Sequence, residues 1–425
     1  MIYVFYFFAT ILVWLSFKSF RGGITYLRYF REELAKPRFT FTPFVTVIAP
    51  CRGLDDGLEH NLSALLKQDF PEYEVIFVVD DRTDPAVEVI SDILNRRDAE
   101  TQREKELNDN FSSPSSASPR LCGDNSVSTK LIIAPKAQGC AQKIANLREA
   151  VLHADDRSQA FVFVDSDARP SPEWLRTLVE PLADETIGAA TGYRWFLSKT
   201  PMLASEIRSV WNASIASALG PNSRSNFCWG GSTAIRRDVF ERVDMREKWV
   251  GTLSDDFAVT RVLHEANLPI VFVPQALIAS VEDCSWTELL EFTTRQMKIT
   301  RVYMTKLWVM SMIGSAVFNA VMIAAFLIAI FSKDVIAVYV SIATLILVSA
   351  FSIGKSWLRL GAVKLALPDY DAELKLQFWP HITLWLFTPS LFLYNSLAAA
   401  FSRRLKWRGI SYELKSPTET VIISH

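Results

Sequence analysis

Apolar positions fall into long unbroken blocks at the two ends of the 425-residue chain and into short runs between them. Residues 1–17 carry no charge, have no basic segment ahead of them and show no small-residue cleavage site before Lys18, so they read as an uncleaved membrane anchor. Residues 308–331 and 335–354 are uncharged runs separated only by Ser332, Lys333 and Asp334, each close to the roughly 20 residues that cross a bilayer; they predict a helical hairpin. Residues 376–402 form a fourth uncharged stretch, interrupted by Pro380 and Pro389. It predicts a fold-back pair hinged near Pro389, or else a single kinked span.

Between these blocks the period changes. Short apolar runs at 44–49, 74–79, 130–134 and 160–164 alternate with helical segments at 58–67, 85–97 and 140–153. That alternation predicts an α/β layer fold with a mostly parallel sheet. Residues 99–129, Glu-rich and then Ser/Pro-rich, bury no core and predict a flexible insertion. The expected organisation is an anchor at 1–20, a cytosolic domain at 40–284, an amphipathic helix at 285–306, a membrane region at 307–402 and a basic cytosolic tail at 403–425. The side follows from Lys and Arg flanking the spans, such as Lys18, Arg21, Arg28, Lys306, Lys355 and Arg359. The implied location is a cell inner membrane in a bacterium, or the Golgi or endoplasmic reticulum in a eukaryote.

Composition narrows the function classes. Half the residues are hydrophobic and 21% charged, too apolar for an ordinary soluble enzyme, and the formal net charge of -1 gives no basic field for nucleic acid. The cysteines, 5 in number, lie far apart without zinc spacing, which indicates reduced thiols.

The candidate chemistry lies where strands end. Asp80-Asp81 closes the second run and Asp165-Ser166-Asp167 the fourth, and ligands of open α/β sheets bind outside the carboxyl ends of strands. An Asp-x-Asp turn suits Mg2+ or Mn2+ shared with a nucleotide diphosphate; the same residues also suit a plain turn. Asp255-Asp256 opens a helix, where it complements the positive end or, in a functional reading, supplies a general base. Trp229 offers a flat surface for a sugar or an apolar chain, and Gly230 and Gly231 allow backbone to approach a substrate. Arg295, Lys298 and Arg301 recur every third residue, a cationic strip for a departing diphosphate or for anionic lipid. Arg52, after the first strand, and Gln296, within the strip, join the substrate-binding set.

The order Val79-Asp80-Asp81, Lys143 with Asn146, Asp165-Ser166-Asp167, Gly230-Gly231-Ser232, Leu253-Ser254-Asp255-Asp256-Phe257 and Arg295-Gln296-Met297-Lys298 resembles the membrane-bound family-2 glycosyltransferases. Within them it is closest to the ceramide glucosyltransferase and hopanoid-associated branch, over roughly residues 44–301. The segment Trp407-Arg408-Gly409 with Tyr412 is similar to one that follows the last membrane element in that branch. The resemblance implies a GT-A type fold and an inverting hexosyltransferase, with a UDP-sugar donor and a membrane lipid acceptor such as ceramide, diacylglycerol or a hopanoid. It implies that Asp81 contacts the base, Lys143 holds the nucleotide, Asp165 and Asp167 bind it through the metal, and Asp256 is the base. Asn146 falls in the same substrate-binding set. The family's closing Gln/Arg-x-x-Arg-Trp departs here to Lys298-Ile299, which puts acceptor-side detail in question. The rival readings are a processive polysaccharide synthase and a non-catalytic nucleotide-binding membrane protein.

Overall fold

The computed structural model describes residues 2–37, 41–97 and 126–424. Most of the expected insertion lies outside them, and residues 126–129, expected within it, belong to a strand. The chain divides into two compact units, one of Met1–Pro37, Arg194–Asn226 and Ala279–His425, the other of Arg38–Tyr193 and Phe227–Ile278.

The second unit holds most of the sheet. The strands are β1 (Val45–Pro50), β2 (Glu72–Val79), β3 (Ser126–Ile133), β4 (Ala160–Phe163), β5 (Ala189–Leu197), β6 (Thr233–Arg236) and β7 (Ile270–Val281), in spatial order β3-β2-β1-β4-β6-β5-β7. The ends of β5 and β7 belong to the first unit. β1 pairs in parallel with β2 and β4, and β2 with β3, so four consecutive carboxyl ends share one edge. β6 runs antiparallel to β4, with Thr233 opposite Phe163, so the residues ahead of β6 reach that same edge. β1, β4 and β5 are buried throughout, as expected of strands covered on both faces. The covering helices include α2 (Leu58–Leu65), α3 (residues 85–97), α4 (Gln142–Ala150) and α5 (Trp174–Val179). The observed strands agree with the four sequence runs to within a few residues, and the mostly parallel α/β sheet is the expected one.

The first unit contains α1 (Ile2–Leu34) and α6 (Leu203–Ala216). The short α7 (Arg237–Arg242) and α8 (Met245–Lys248) and the longer α9 (Asp255–Glu265) belong to the other unit. The first unit resumes with α10 (Trp286–Tyr303), α11 (Thr305–Phe331), α12 (Val335–Ala366), α13 (Asp371–Leu376), α14 (Phe378–Thr383) and α15 (Thr388–Phe401). Three of these, α1, α11 and α12, are long and apolar enough to cross a membrane. The anchor expected at 1–20 is therefore only the first part of a 33-residue helix. α1 and α12 run side by side in the same direction: Phe20 packs on Gly354, Lys355 on Gly23, and the Lys355 ammonium donates to Ser19 Oγ at 2.9 Å. Glycine at these contacts lets two helix backbones approach closely.

The fourth apolar stretch folds back. Residues 378–386 and 388–401 meet at a 57° bend, with Pro389 in the first turn of α15, where its missing N–H is not needed. His381 lies at the level of Arg359, past the apolar part of α12: Arg359 Nη2 is 3.3 Å from His381 Nδ1. The stretch then descends to the middle of α11, where Trp385 meets Phe318 edge to face and Ser390 Oγ bonds Asn319 Oδ1 at 2.6 Å. α15 climbs back beside the start of α11 and the end of α10. Trp308 Nε1 donates to Ser396 O at 3.1 Å, Arg301 to Ala399 O, and Lys298 to Arg404 O at 2.6 Å. Fourteen residues at about 1.5 Å each cover about 21 Å, less than an apolar bilayer core of roughly 30 Å.

The expected basic tail is a folded element. β8 (Arg404–Trp407), β9 (Ile410–Ser416) and β10 (Glu419–Ser424) form an antiparallel sheet in the order β10-β9-β8. Leu405, Ile410, Tyr412 and Leu414 are buried, alternating with exposed or half-buried polar positions.

Candidate active site

The register of the parallel strands assembles the site within the second unit. Arg52 follows β1, Asp80 and Asp81 follow β2, Lys136 follows β3, and Asp165 and Asp167 follow β4. Asp80, nearly inaccessible, accepts from Arg52 at 2.7 Å and from Lys136 at 2.8 Å. Asp81 is half-exposed; it accepts from Thr83 N and Oγ1 and from Lys136 at 3.1 Å. Those Thr83 hydrogen bonds, aided by Lys136, hold its carboxyl down at about 2.

The second cluster lies at β4. Ser166 turns inward and donates to Asp55 Oδ2 at 2.6 Å, while its carbonyl accepts from Asn61 at 3.1 Å, so the turn is braced from α2 and the loop before it. The flanking Asp165 and Asp167 remain half-exposed. Lys143, in the first turn of α4, places Nζ 2.7 Å from Asp165 Oδ1 and 3.0 Å from Asp255 Oδ1. Burial works to lower the Lys143 pKa; Asp165, Asp255 and Asp256 more than reverse this, and the ammonium stays charged. Asp255 is buried, and its carboxyl is pushed up to about 6, by burial first and then by Asp256 and Asp165, with Lys143 opposing.

Asp256 differs from its neighbour. It is half-exposed at the start of α9; Oδ1 accepts from Phe257 N at 2.7 Å and from the Ser254 hydroxyl. Oδ2 takes no hydrogen bond among the described residues. Ser254 does not cap the helix with its side chain, so the capping explanation for this serine does not apply. Gly230 closes the cluster: a Cβ there would come within 2.3 Å of Asp255 Oδ2 and 2.8 Å of Lys143 Nζ. The nearby Cys228 thiol is buried and its pKa raised, first by desolvation and then by Asp256, which leaves it inert.

Other expected site residues sit differently. Trp229 is buried, its ring lying over Gly231 and 5.7 Å from Tyr193, so it is part of the packing beneath the site and not an open platform. Asn146 is buried and accepts from Gln142 Nε2 at 2.9 Å; Gln142 in turn bonds Pro135 O and Ala137 N. Asn146 thus steadies the loop that carries Lys136. In the first unit, Lys298 and Arg301 spend hydrogen-bond donors on the carbonyls of Arg404 and Ala399, and Arg295 lies over the rings of Phe292 and Trp407. Gln296 O accepts from Thr300. Sequence reading missed Lys136 and set Asp55 aside as a capping residue in the loop before a helix. Lys136 was findable by the rule that found the aspartates, since it stands three residues past the end of β3.

Among the described residues no group of three or more His, Cys, Asp or Glu side chains is arranged to hold a metal. Asp165 and Asp167 offer the partial carboxylate set that suits a hard divalent cation completed by water and phosphate oxygens, so they fit a cation bound together with a nucleotide.

Two solved structures are similar over nearly the full length. One is a mannosyltransferase from Pyrobaculum calidifontis in complex with GDP-Man and Mn2+: 18% identity, 93% of this chain and 98% of that one covered, TM-score 0.43. The other is S. aureus TarS 1-349, at 12% identity, with 90% of this chain and 99% of that one covered and a TM-score of 0.35. The sequence signature of glycosyl transferase family 21 matches residues 8–99 and 125–420. The motif resemblance pointed to glycosyltransferases under the number 2; the matched family carries the number 21, and on that match the chain belongs to glycosyl transferase family 21.

Proposed function

We propose that the chain transfers a hexose from a UDP-sugar to the hydroxyl of a membrane lipid, with inversion at the sugar carbon, as the ceramide glucosyltransferase resemblance implies. The observation that carries this reading is the division of labour between adjacent aspartates. Asp255 is buried against Lys143, while Asp256 is half-exposed with one oxygen fixed by the start of α9 and the other open to a proton.

In this reading Asp80, Asp81, Arg52 and Lys136 receive the base and ribose at the ends of β1 to β3. Asp165 and Asp167 would hold Mg2+ or Mn2+, which would neutralise charge on the departing diphosphate. Lys143 adds a fixed positive charge beside it. The acceptor oxygen bonds to the sugar carbon as the bond from that carbon to the diphosphate breaks. The hydroxyl proton passes to Asp256 Oδ2. A single displacement of this kind inverts the centre and needs no covalent enzyme intermediate. Gly230, without a side chain, lets the Lys143–Asp255 pair lie close against the main chain. The lipid acceptor is supported by α1, α11 and α12, which are long and apolar enough to hold the chain in a bilayer.

The test incubates membranes containing the chain with radiolabelled UDP-hexoses, lipid extract and divalent metal, and follows label into chloroform. Label in a lipid fraction that falls by roughly 10²- to 10⁴-fold in Asp256→Asn supports the proposal. Label that stays water-soluble, accumulates as polymer, or is insensitive to Asp256→Asn overturns it.

A further inference from the structure

The C-terminal sheet has two unlike faces. Register pairs Arg404 with Glu413 and Lys406 with Ser411 across β8 and β9, and Val421 of β10 with Glu413. Strand alternation puts these five side chains on one face. The other face holds Leu405, Trp407, Ile410, Tyr412 and Leu414; Trp407 lies over the α10 residue Arg295, so this side packs inward. The outward face is basic with an apolar point. Arg404 and Lys406 are exposed, as are the flanking Arg403, Arg408 and Lys415, and Val421 is 40% exposed. From Arg403 to Ser424 five basic residues stand against two acidic ones. The one acid on the face, Glu413, is already met by Lys415 at 2.5 Å and Arg404 at 3.5 Å. Lys406 has no ion-pair partner among the described residues.

The fold-back of α14 and α15 determines where this face lies. α15 returns to the level of Arg301 and ends at Phe401, 89% exposed and at the tip of an apolar helix. Arg404 is three residues further on, so at most about 11 Å of chain separates it from that lipid-facing ring. Arg404 O is also clamped by Lys298 of α10 at 2.6 Å, which prevents the strand from swinging away.

We infer that the outward face of β8–β10 docks on the anionic headgroups of the bilayer around α15, with Arg404 and Lys406 against phosphodiesters and Val421 at the boundary with the acyl chains. Charge complementarity and the short chain reach select this occupant. A basic residue held near an anionic membrane surface gains about 1 kcal/mol, on the order of a five-fold local enrichment of anionic lipid. This inference rests on the membrane reading of the apolar helices and is independent of sugar transfer.

The test places the full chain, one copy per nanodisc, in phosphatidylcholine containing a minor fraction of acyl-brominated lipid, with a fluorescent amino acid encoded at Val421. The brominated lipid is either phosphatidylglycerol or phosphatidylcholine at equal mole fraction. Quenching by phosphatidylglycerol should exceed that by phosphatidylcholine on the order of five-fold, and the excess should shrink in about 0.5 M NaCl. Arg404→Glu combined with Lys406→Glu should bring the two lipids to parity. Should that double variant unfold, Lys406→Gln, at an exposed position, should lower the ratio by about half. Equal quenching in the unaltered chain, a preference that survives charge reversal or is undiminished by Lys406→Gln in folded protein, or protection of the fluorophore from both lipids, as a soluble protein seated on the face produces, overturns the inference.

Discussion

Lys143, shielded at the rim of the sheet, and Lys298, half-exposed on α10, are both ammonium groups with a tight oxygen contact, yet the oxygens differ in kind. Lys143 lies between two carboxylates, Asp165 and Asp255, brought together from β4 and α9. Lys298 donates to a backbone carbonyl, that of Arg404, and its neighbour Arg301 does the same with Ala399. A cation between carboxylates sits in a field that an incoming phosphate or metal can reorganise. A cation on main-chain carbonyls ties a strand and a helix end together, a structural duty for which no ligand is needed.

Removing the charge from each should separate these roles. The largest effect is expected for Lys143→Met, which leaves Asp165 and Asp255 facing one another without their shared partner. Breaking a buried pair costs about 3 kcal/mol or more, so a clear fall in thermal midpoint should accompany loss of donor binding. Unchanged melting together with unchanged donor affinity would remove Lys143 from both roles.

Gly230→Ala comes next. Its added methyl meets Asp255 Oδ2 and Lys143 Nζ well inside contact distance, so the cluster must shift. Transfer should fall by roughly 10²-fold, as expected when a reacting group is displaced by about an ångström; turnover within two-fold of the parent would show that the cluster is not at the reacting atoms.

Lys298→Met should lower stability by about 1 kcal/mol through the lost charged hydrogen bond, discounted for its partial exposure. Donor affinity measured in parallel decides whether the α10 strip has any share in holding diphosphate. A rise in the donor Kd comparable to that of Lys143→Met would erase the contrast between the two lysines.

The smallest effect concerns Asp81. Its folded pKa is depressed to about 2, so any stability it contributes is present above the unfolded value of about 4 and is lost as pH falls through about 2. The difference in thermal midpoint between the parent and Asp81→Asn should therefore be constant from pH 7 to 5 and narrow only in stronger acid. A difference that disappears by pH 5 would show that Thr83 and Lys136 do not hold the carboxylate.

The acids at the rim were legible because parallel strands obey a positional rule: once runs ending at Val79 and Val164 are recognised, the residues after them must share an edge. The role of Ser166 was not legible, since its partner Asp55 stands 111 positions earlier and looks like an ordinary loop residue. The α10 strip shows the opposite failure. A three-residue period located Arg295, Lys298 and Arg301 on one side correctly, but periodicity carries no information about what packs there, and Ala399 and Arg404 lie about a hundred residues downstream. The tail sheet escaped because its alternation is short and its exposed positions are charged, so composition masked a strand pattern. Trp229 was judged by residue type alone, and the absence of a side chain at Gly231, which lets the indole lie flat on the main chain, appears only in three dimensions.

The dip of residues 378–401, which enters and leaves at one level, also sets a parity. With α1, α11 and α12, the described helices long and apolar enough to span, counted as the crossings and the dip as none, the number is odd. Ile2 and Ser424 then face different compartments, so reporters fused at the two termini should never respond to the same impermeant reagent in sealed vesicles.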